Sequence, residues 1–204
     1  MTGTGPRILL ASASPRRAAL LRQIGLHFEV AAVDIEEEKT GGLMAAETAV
    51  RNARGKALRS AAANGAGSSI IIAADTIVVC AGQLLGKPVD RDDAVRMLSL
   101  LRGREHRVIT GLAIVDSGSG RMLTDHAETI VIMADYSAAE IHSYVASGEP
   151  MDKAGAYGIQ GRAGVLVKAI NGSYSNVVGL PLELLRSLFI QLGYPNLLTL
   201  CAAT

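Results

Sequence analysis

The chain of 204 residues has no tryptophan, two phenylalanines and five tyrosines, so aromatics make up only 3% of it. Its core must therefore be built from the aliphatic part of a 49% apolar composition, which is that of a soluble globular protein. An excess of one charge is also missing. Twenty Lys and Arg stand against 19 Asp and Glu, a formal net charge of +1, which offers no global field to recruit nucleic acid and no polybasic arm. Any anion must be recognised locally. No apolar run approaches the roughly 20 residues that span a bilayer, and Arg7 with polar residues 12–17 denies the first stretch a signal core, so no membrane partner is expected. Two cysteines, Cys80 and Cys201, show neither metal-ligand spacing nor a disulfide framework. A reducing, cytoplasmic setting is the expectation. No internal repeat or low-complexity linker divides the chain, and its length suits one domain over residues 1–204.

What is present gathers in a few polar, glycine-bearing segments. Residues 148–161 read G-E-P-M-D-K-A-G-A-Y-G-I-Q-G, with no apolar run long enough for a helix or strand. Glycine permits positive φ and lets backbone approach a ligand closely. The segment reads as a shaped loop offering N–H groups, Lys153 and Gln160 to something small and polar, against the alternative of a long surface connection.

Residues 8–11 suit a buried strand and lead into Ser12-Ala13-Ser14-Pro15-Arg16-Arg17. Ser14 as N-cap and Pro15 at the first helical position predict a helix that stops near Gly25. Free N–H groups and the positive dipole end, beside Ser12, Ser14, Arg16 and Arg17, suit a phosphate; a capped surface helix with solvated arginines is the competing reading. A second strand over 28–33 ends in the acidic run Asp34-Ile35-Glu36-Glu37-Glu38, which suits either a hard divalent cation or a solvated loop. Residues 45–64 place Ala46, Ala49, Val50, Ala53 and Ala57 at helical spacing, with Arg51, Lys56 and Arg59 outside that stripe.

Residues 69–79 form the strongest strand signal, and Asp75-Thr76 interrupts its β-branched run. A carboxylate there is expensive to bury unless paired or bound to metal, so a functional Asp75 outweighs an edge strand with an outward aspartate. After the turn at Ala81-Gly82, Gly86-Lys87-Pro88 sets Lys87 on a rigid turn. A helix over 94–102 follows, then strands over 107–115 and 122–133 as a hairpin around 117–120. Ser137 with Glu140 is a capping box for a helix reaching Ala146. A strand over 165–170, a turn at Asn171-Gly172 and a helix from Pro181 to Gly193, with Leu182, Leu185, Leu188 and Phe189 as its apolar stripe, complete the chain. Hairpins mixed with helical crossovers predict an α/β chain with a mixed, partly antiparallel sheet flanked by helices. The motifs fall at strand ends and loops, where such sheets place ligands.

In this order, Ser12-Ala13-Ser14-Pro15-Arg16-Arg17, Ala73-Ala74-Asp75-Thr76, Gly86-Lys87-Pro88, residues 152–161, and Gly172-Ser173-Tyr174 with residues 176–181 resemble the Maf family over nearly the whole chain. The resemblance implies a house-cleaning nucleoside triphosphate pyrophosphatase, its two-lobed fold similar to that of inosine triphosphate pyrophosphatases, with a cleft for nucleotide and metal. Position by position it makes Asp75 the proton acceptor, and Arg16, Thr76 and Gln160 the determinants of substrate choice. Lys56, Lys87 and Lys153 match lysines near the phosphates, Lys87 with a catalytic part. The family's acid after the second strand falls on Glu37, and a slip of one position would give Glu36 or Glu38. Asp75 and Glu37 are the expected ligands of Mg2+ or Mn2+.

The form of residues 152–161 is similar to the branch acting on dTTP and UTP, including modified pyrimidine forms. Gln160 can donate and accept, as the imide face of uracil or thymine requires. A homodimer is implied. Two other readings stand beside this one: a nucleotide-binding regulator of cell division and septum formation, and a pyrophosphatase for purine nucleotides such as ITP, XTP or 7-methyl-GTP.

Overall fold

The computed structural model describes residues 6–35, 44–64 and 67–196. Their strands form one seven-stranded sheet: β1 (Arg7–Leu10), β2 (Glu29–Val30), β3 (Ser69–Cys80), β4 (Gln83–Leu85), β5 (Glu105–Asp116), β6 (Arg121–Met133) and β7 (Val167–Asn171). The order is β2-β1-β3-β5-β6-β7, with β4 paired to β3. β1 runs parallel to both neighbours, β2 and β3, and all other pairs are antiparallel. The helices are α1 (Pro15–Gln23), α2 (Ala45–Ala63), α3 (Arg91–Leu101), α4 (Ala138–Ala146), α5 (Tyr174–Val178) and α6 (Leu182–Leu192). The mixed sheet flanked by helices is as expected. No helix among the described residues is long and apolar enough to cross a membrane.

Alternation along β3 sorts the cores, because successive strand side chains point to opposite faces. Ile70, Ile72 and Ala74 join Leu20 and Leu21 of α1 and Leu185, Leu188 and Phe189 of α6. Farther along the same face, Val78 and Cys80 join Leu98 of α3 and Ile141 and Val145 of α4. On the opposite face Ile71 and Ala73, and beyond them Ile77 and Val79, pack beneath α2. Two residues fall in the gaps between these clusters: Thr76 on the first face and Asp75 on the second.

Local signals explain most boundaries. Asp90 caps α3 by accepting from the Asp93 N–H at 2.8 Å, and Ser137 with Glu140 forms the anticipated capping box of α4. Ala81 and Gly82, at φ 48° and 75°, make the tight β3–β4 turn. α6 ends at a left-handed Gly193. Other expectations need correction. The second strand shrinks to two residues on the sheet edge, and the last begins at Val167 rather than 165 because Arg162–Leu166 winds into a 3-10 turn. Ser14 stands at the N-cap of α1, but its side chain makes no capping bond.

The main correction is α2. Its buried face carries Ala45, Ala49, Ala53 and Ala57, and beside them Thr48, Asn52, Lys56 and Ser60. Lys56 lies inside the buried stripe. The small alanines allow a close approach to the sheet, and Gly111 of β5 completes it: a Cβ there would sit 2.3 Å from the Ala49 carbonyl carbon. Gly111 pairs with Asp75 across the β3–β5 ladder, so α2 presses on the sheet where the aspartate sits.

Candidate functional site

Asp75 occupies an interior strand, between β1 and β5, and is 6% exposed. Lys56 donates to its Oδ1 at 2.6 Å and Asn52 to its Oδ2 at 2.9 Å. The two donors are one helical turn apart on α2, so a single face grips both carboxylate oxygens. A buried carboxylate with a cation and a neutral donor is satisfied, and removing one partner of such a pair typically costs about 3–5 kcal/mol.

This carboxylate opens onto a cleft of about 880 Å3 whose lining includes Ser12, Ser14, Arg16, Arg17, Lys56, Asp75, Thr76, Lys87, Lys153 and Gln160. All the described residues singled out from the sequence therefore meet in one place. Glu37 lies outside the described residues, as do its neighbours Glu36 and Glu38.

The β1–α1 turn supplies one wall. The Ser12 hydroxyl accepts from the Ser14 N–H at 3.2 Å and from Arg17 Nη1 at 3.1 Å. Arg17 also donates to the Gly179 carbonyl at 2.7 Å and to the Thr76 hydroxyl at 3.0 Å. The Thr110 hydroxyl donates to the Asn176 carbonyl at 3.1 Å, which leaves Thr76 to donate to Thr110 at 3.0 Å. The chain of bonds joins α1, the centre of the sheet and the turn before α6. Arg17 and Thr76 thus build the wall itself as well as line it.

The glycine-bearing loop supplies the opposite wall, as 3-10 turns over Glu149–Asp152, Ala154–Ala156 and Arg162–Leu166. Gly148 and Gly155 take positive φ, 76° and 72°, as the reading of a shaped loop requires. The Gly155 N–H donates to the Gly86 carbonyl at 3.0 Å, docking the Lys87 turn on the loop. Beneath it, the Tyr157 hydroxyl meets His106 Nε2 at 2.7 Å.

Asp152 joins the two walls. Arg16 donates to its Oδ2 and Lys153 to its Oδ1, at 2.7 and 2.6 Å. Burial pushes this carboxyl up, but the hydrogen bonds and charge of Lys153 and Arg16 outweigh it and hold Asp152 at about 2. Lys87 and Gln160, by contrast, are exposed side chains at the cleft.

Sequence reasoning passed over Asn52 and gave Asp152 no role within its motif, while Asp34, read there only as the first acid of the run after β2, also lines the cleft. For Asn52 a signal existed: Thr48, Asn52, Lys56 and Ser60 repeat every fourth residue, a polar stripe within an alanine-rich helix.

Among the described residues no cluster of three His, Cys, Asp or Glu could hold a metal unaided. Mg2+ suits such a site nonetheless, since it uses one or two carboxylates and completes its shell with water and phosphate oxygens. Asp75 and Asp34 both line the cleft, and each carboxylate oxygen of Asp75 retains a second lone pair beyond its bond to α2.

A family profile described as Maf-like protein matches residues 7–192. The dTTP/UTP pyrophosphatase of Pelotomaculum thermopropionicum is 46% identical over 187 residues, 92% of this chain and 97% of that one. The dTTP/UTP pyrophosphatase of Geobacter sulfurreducens is 52% identical over 176 residues, 86% and 91% of the two chains. Among solved structures, the Staphylococcus aureus Ham1 protein overlaps 63% of this chain and 72% of its own at TM-score 0.45 and 16% identity, too partial a likeness to carry an argument.

Proposed function

The chain belongs to the Maf family, and from that premise we propose that it hydrolyses dTTP and UTP, or modified pyrimidine forms of them, to the monophosphate and pyrophosphate. The observation that carries the reading is a buried carboxylate, Asp75, opening onto a cleft lined by Arg16, Lys56, Lys87 and Lys153. An acid at the sheet centre and cations around it match a reaction that must activate water beside a triphosphate.

Asp75 orients the attacking water and takes its proton, while Lys56 and Asn52 hold the carboxylate in one orientation. A carboxylate is by itself a weak base for water, so the water needs further activation. Asp75, with Glu37 as the expected second ligand, would hold a divalent cation, Mg2+ or Mn2+, which when bound would make water more acidic and offset charge on the leaving pyrophosphate. Arg16, Lys87 and Lys153 bind the triphosphate, for which Arg16 and Lys153 exchange Asp152 for phosphate oxygens. Ser12 and Ser14 shape the phosphate-facing turn at the start of α1, which Arg17 braces. Thr76 sets the wall against the nucleoside and Gln160 reads the base edge, so a base with the wrong donor pattern leaves polar groups unpaired. The two cores on one sheet face act as lobes around the nucleotide. The proposal extends to a cytoplasmic homodimer, which light scattering of the purified chain checks.

The test is pyrophosphate release over dTTP, UTP, CTP, GTP, 7-methyl-GTP and ITP with Mg2+, Mn2+ or chelator. Metal-dependent turnover of dTTP and UTP, lowered about 10²–10⁴-fold in Asp75→Asn, is expected. Turnover of a purine nucleotide instead would overturn the roles of Gln160 and Thr76. Tight UTP binding without turnover would favour a regulator.

A further inference from the structure

Glu149 stands outside the lining of the cleft, yet it touches both parts of the loop that reach the cleft. Its main-chain carbonyl accepts from Lys153 Nζ at 2.6 Å. Its carboxylate accepts from the Arg162 N–H through Oε2 at 3.1 Å and from the Tyr144 hydroxyl of α4 through Oε1 at 3.1 Å. The backbone N–H of Glu149 donates in turn to the Ser147 hydroxyl at 3.3 Å.

The glycines of the loop are fitted to this arrangement. A Cβ on Gly161 would lie 2.1 Å from Glu149 Oε1, and a Cβ on Gly158 would lie 2.6 Å from Lys153 Cε. Gly161 thus lacks a side chain where the Glu149 carboxylate presses against it. The carboxylate closes residues 149–162 into a ring, pinning the chain immediately after Gln160 to the helix that precedes the loop. Gln160 is exposed, and its side chain makes no hydrogen bond to another described residue. Its placement at the cleft therefore depends on its backbone, which the Gly161–Arg162 anchor holds.

We propose that Glu149 is a positioning residue for base selection, acting through the Gly161–Arg162 backbone to place Gln160 and through its carbonyl to aim Lys153. This rests on the reading of Gln160 as the group that meets the base. Removing the carboxylate frees the backbone on which Gln160 sits while Asp75 and its partners on α2 remain in place. Discrimination between bases should then fall more than the rate of the chemical step.

The experiment compares kcat and KM for UTP and CTP in the wild type, Glu149→Ala, Glu149→Gln and Gln160→Ala, with hydrogen exchange at the Arg162 amide. In Glu149→Ala the UTP preference in kcat/KM should narrow by at least about tenfold, mostly through a raised KM for UTP, and the Arg162 amide should exchange faster. Glu149→Gln, whose amide oxygen can still accept from Arg162, should recover most of the preference. If Gln160→Ala narrows the preference but Glu149→Ala changes it by less than about twofold, the positioning role is overturned. An equal loss on both substrates, or an unchanged Arg162 amide, overturns it as well. If Gln160→Ala itself leaves the preference intact, the reading of the base site fails, and the exchange rate at Arg162 still decides whether Glu149 holds the loop.

Discussion

At His106 the imidazole is sealed into the core beneath α3 and α4, 3% exposed, with Nε2 against the Tyr157 hydroxyl and Nδ1 unpartnered among the described residues. Burial holds its pKa down at about 4, below the ordinary 6.5. The unfolded chain therefore takes up a proton across that interval and the folded chain does not, so stability rises with pH through the window and is lost on acidification. The expected loss between pH 7 and pH 4 is roughly 2–3 kcal/mol from this group. Urea titrations at both pH values measure it, and His106→Gln should remove that part of the slope. Because Tyr157 belongs to the glycine-bearing loop, acid should loosen the site before the sheet. Not every residue at this scale was legible. Asp75 announced itself as an acid inside a β-branched run, whereas the spacing set Lys56 outside the apolar stripe and only the family resemblance drew it to the phosphates, since spacing does not say which side of a helix meets the sheet.

α2 is the element on which the site depends. Its alanines and Gly111 bring helix backbone against β5, and that contact sets how far Asn52 and Lys56 reach toward Asp75. In Gly111→Ala the new methyl would meet the Ala49 backbone, which has no flexible tip to yield. The helix must lift, at a cost of about 1–3 kcal/mol or more, and the grip on Asp75 must loosen with it. A lowered denaturant midpoint together with a lowered rate of pyrophosphate release is expected; a variant as stable and active as the parent would refute the close-contact account. Helices α3, α4 and α6 were far more legible, because the caps at Asp90 and Ser137 and the glycine stop at Gly193 are local chemistry, whereas the five-residue α5 escaped the sequence reading. The 3-10 turns of the loop were not foreseen, since three to five residues carry too little periodicity to register.

Across the whole molecule, the cleft draws on both faces of the sheet: two cores joined by β3 and β5 flank it on the face of Thr76, and α2 brings Asn52 and Lys56 to Asp75 on the other. Arg16 and Asp152, 136 residues apart, close the gap from either side. A ligand that binds both walls should stabilise the whole fold by linkage, by about 2.7 kcal/mol at a hundredfold excess over Kd. For a chain of this size that is roughly a 5–10 °C rise in unfolding temperature. A non-hydrolysable α,β-methylene UTP with Mg2+ should produce it in thermal scans, with the cytidine analogue giving less. No rise with the uridine analogue would remove the cleft as its site.

The amino-acid sequence by itself determined the class of fold, nearly all of its elements and the polar segments that line the cleft. Caps, turns and alternation are short-range properties, and the cost of an acid in an apolar strand can be read without knowing its partners. Tertiary structure alone decided which stripe of α2 faces the sheet, that Asn52 and Lys56 hold Asp75, that Asp152 bridges Arg16 and Lys153, and that Glu149 closes the loop onto Gly161. The physical reason is the same in each case. These contacts depend on how closely two backbones approach, and that distance is set by packing across the sheet and by glycines whose missing side chains matter only once a distant neighbour arrives.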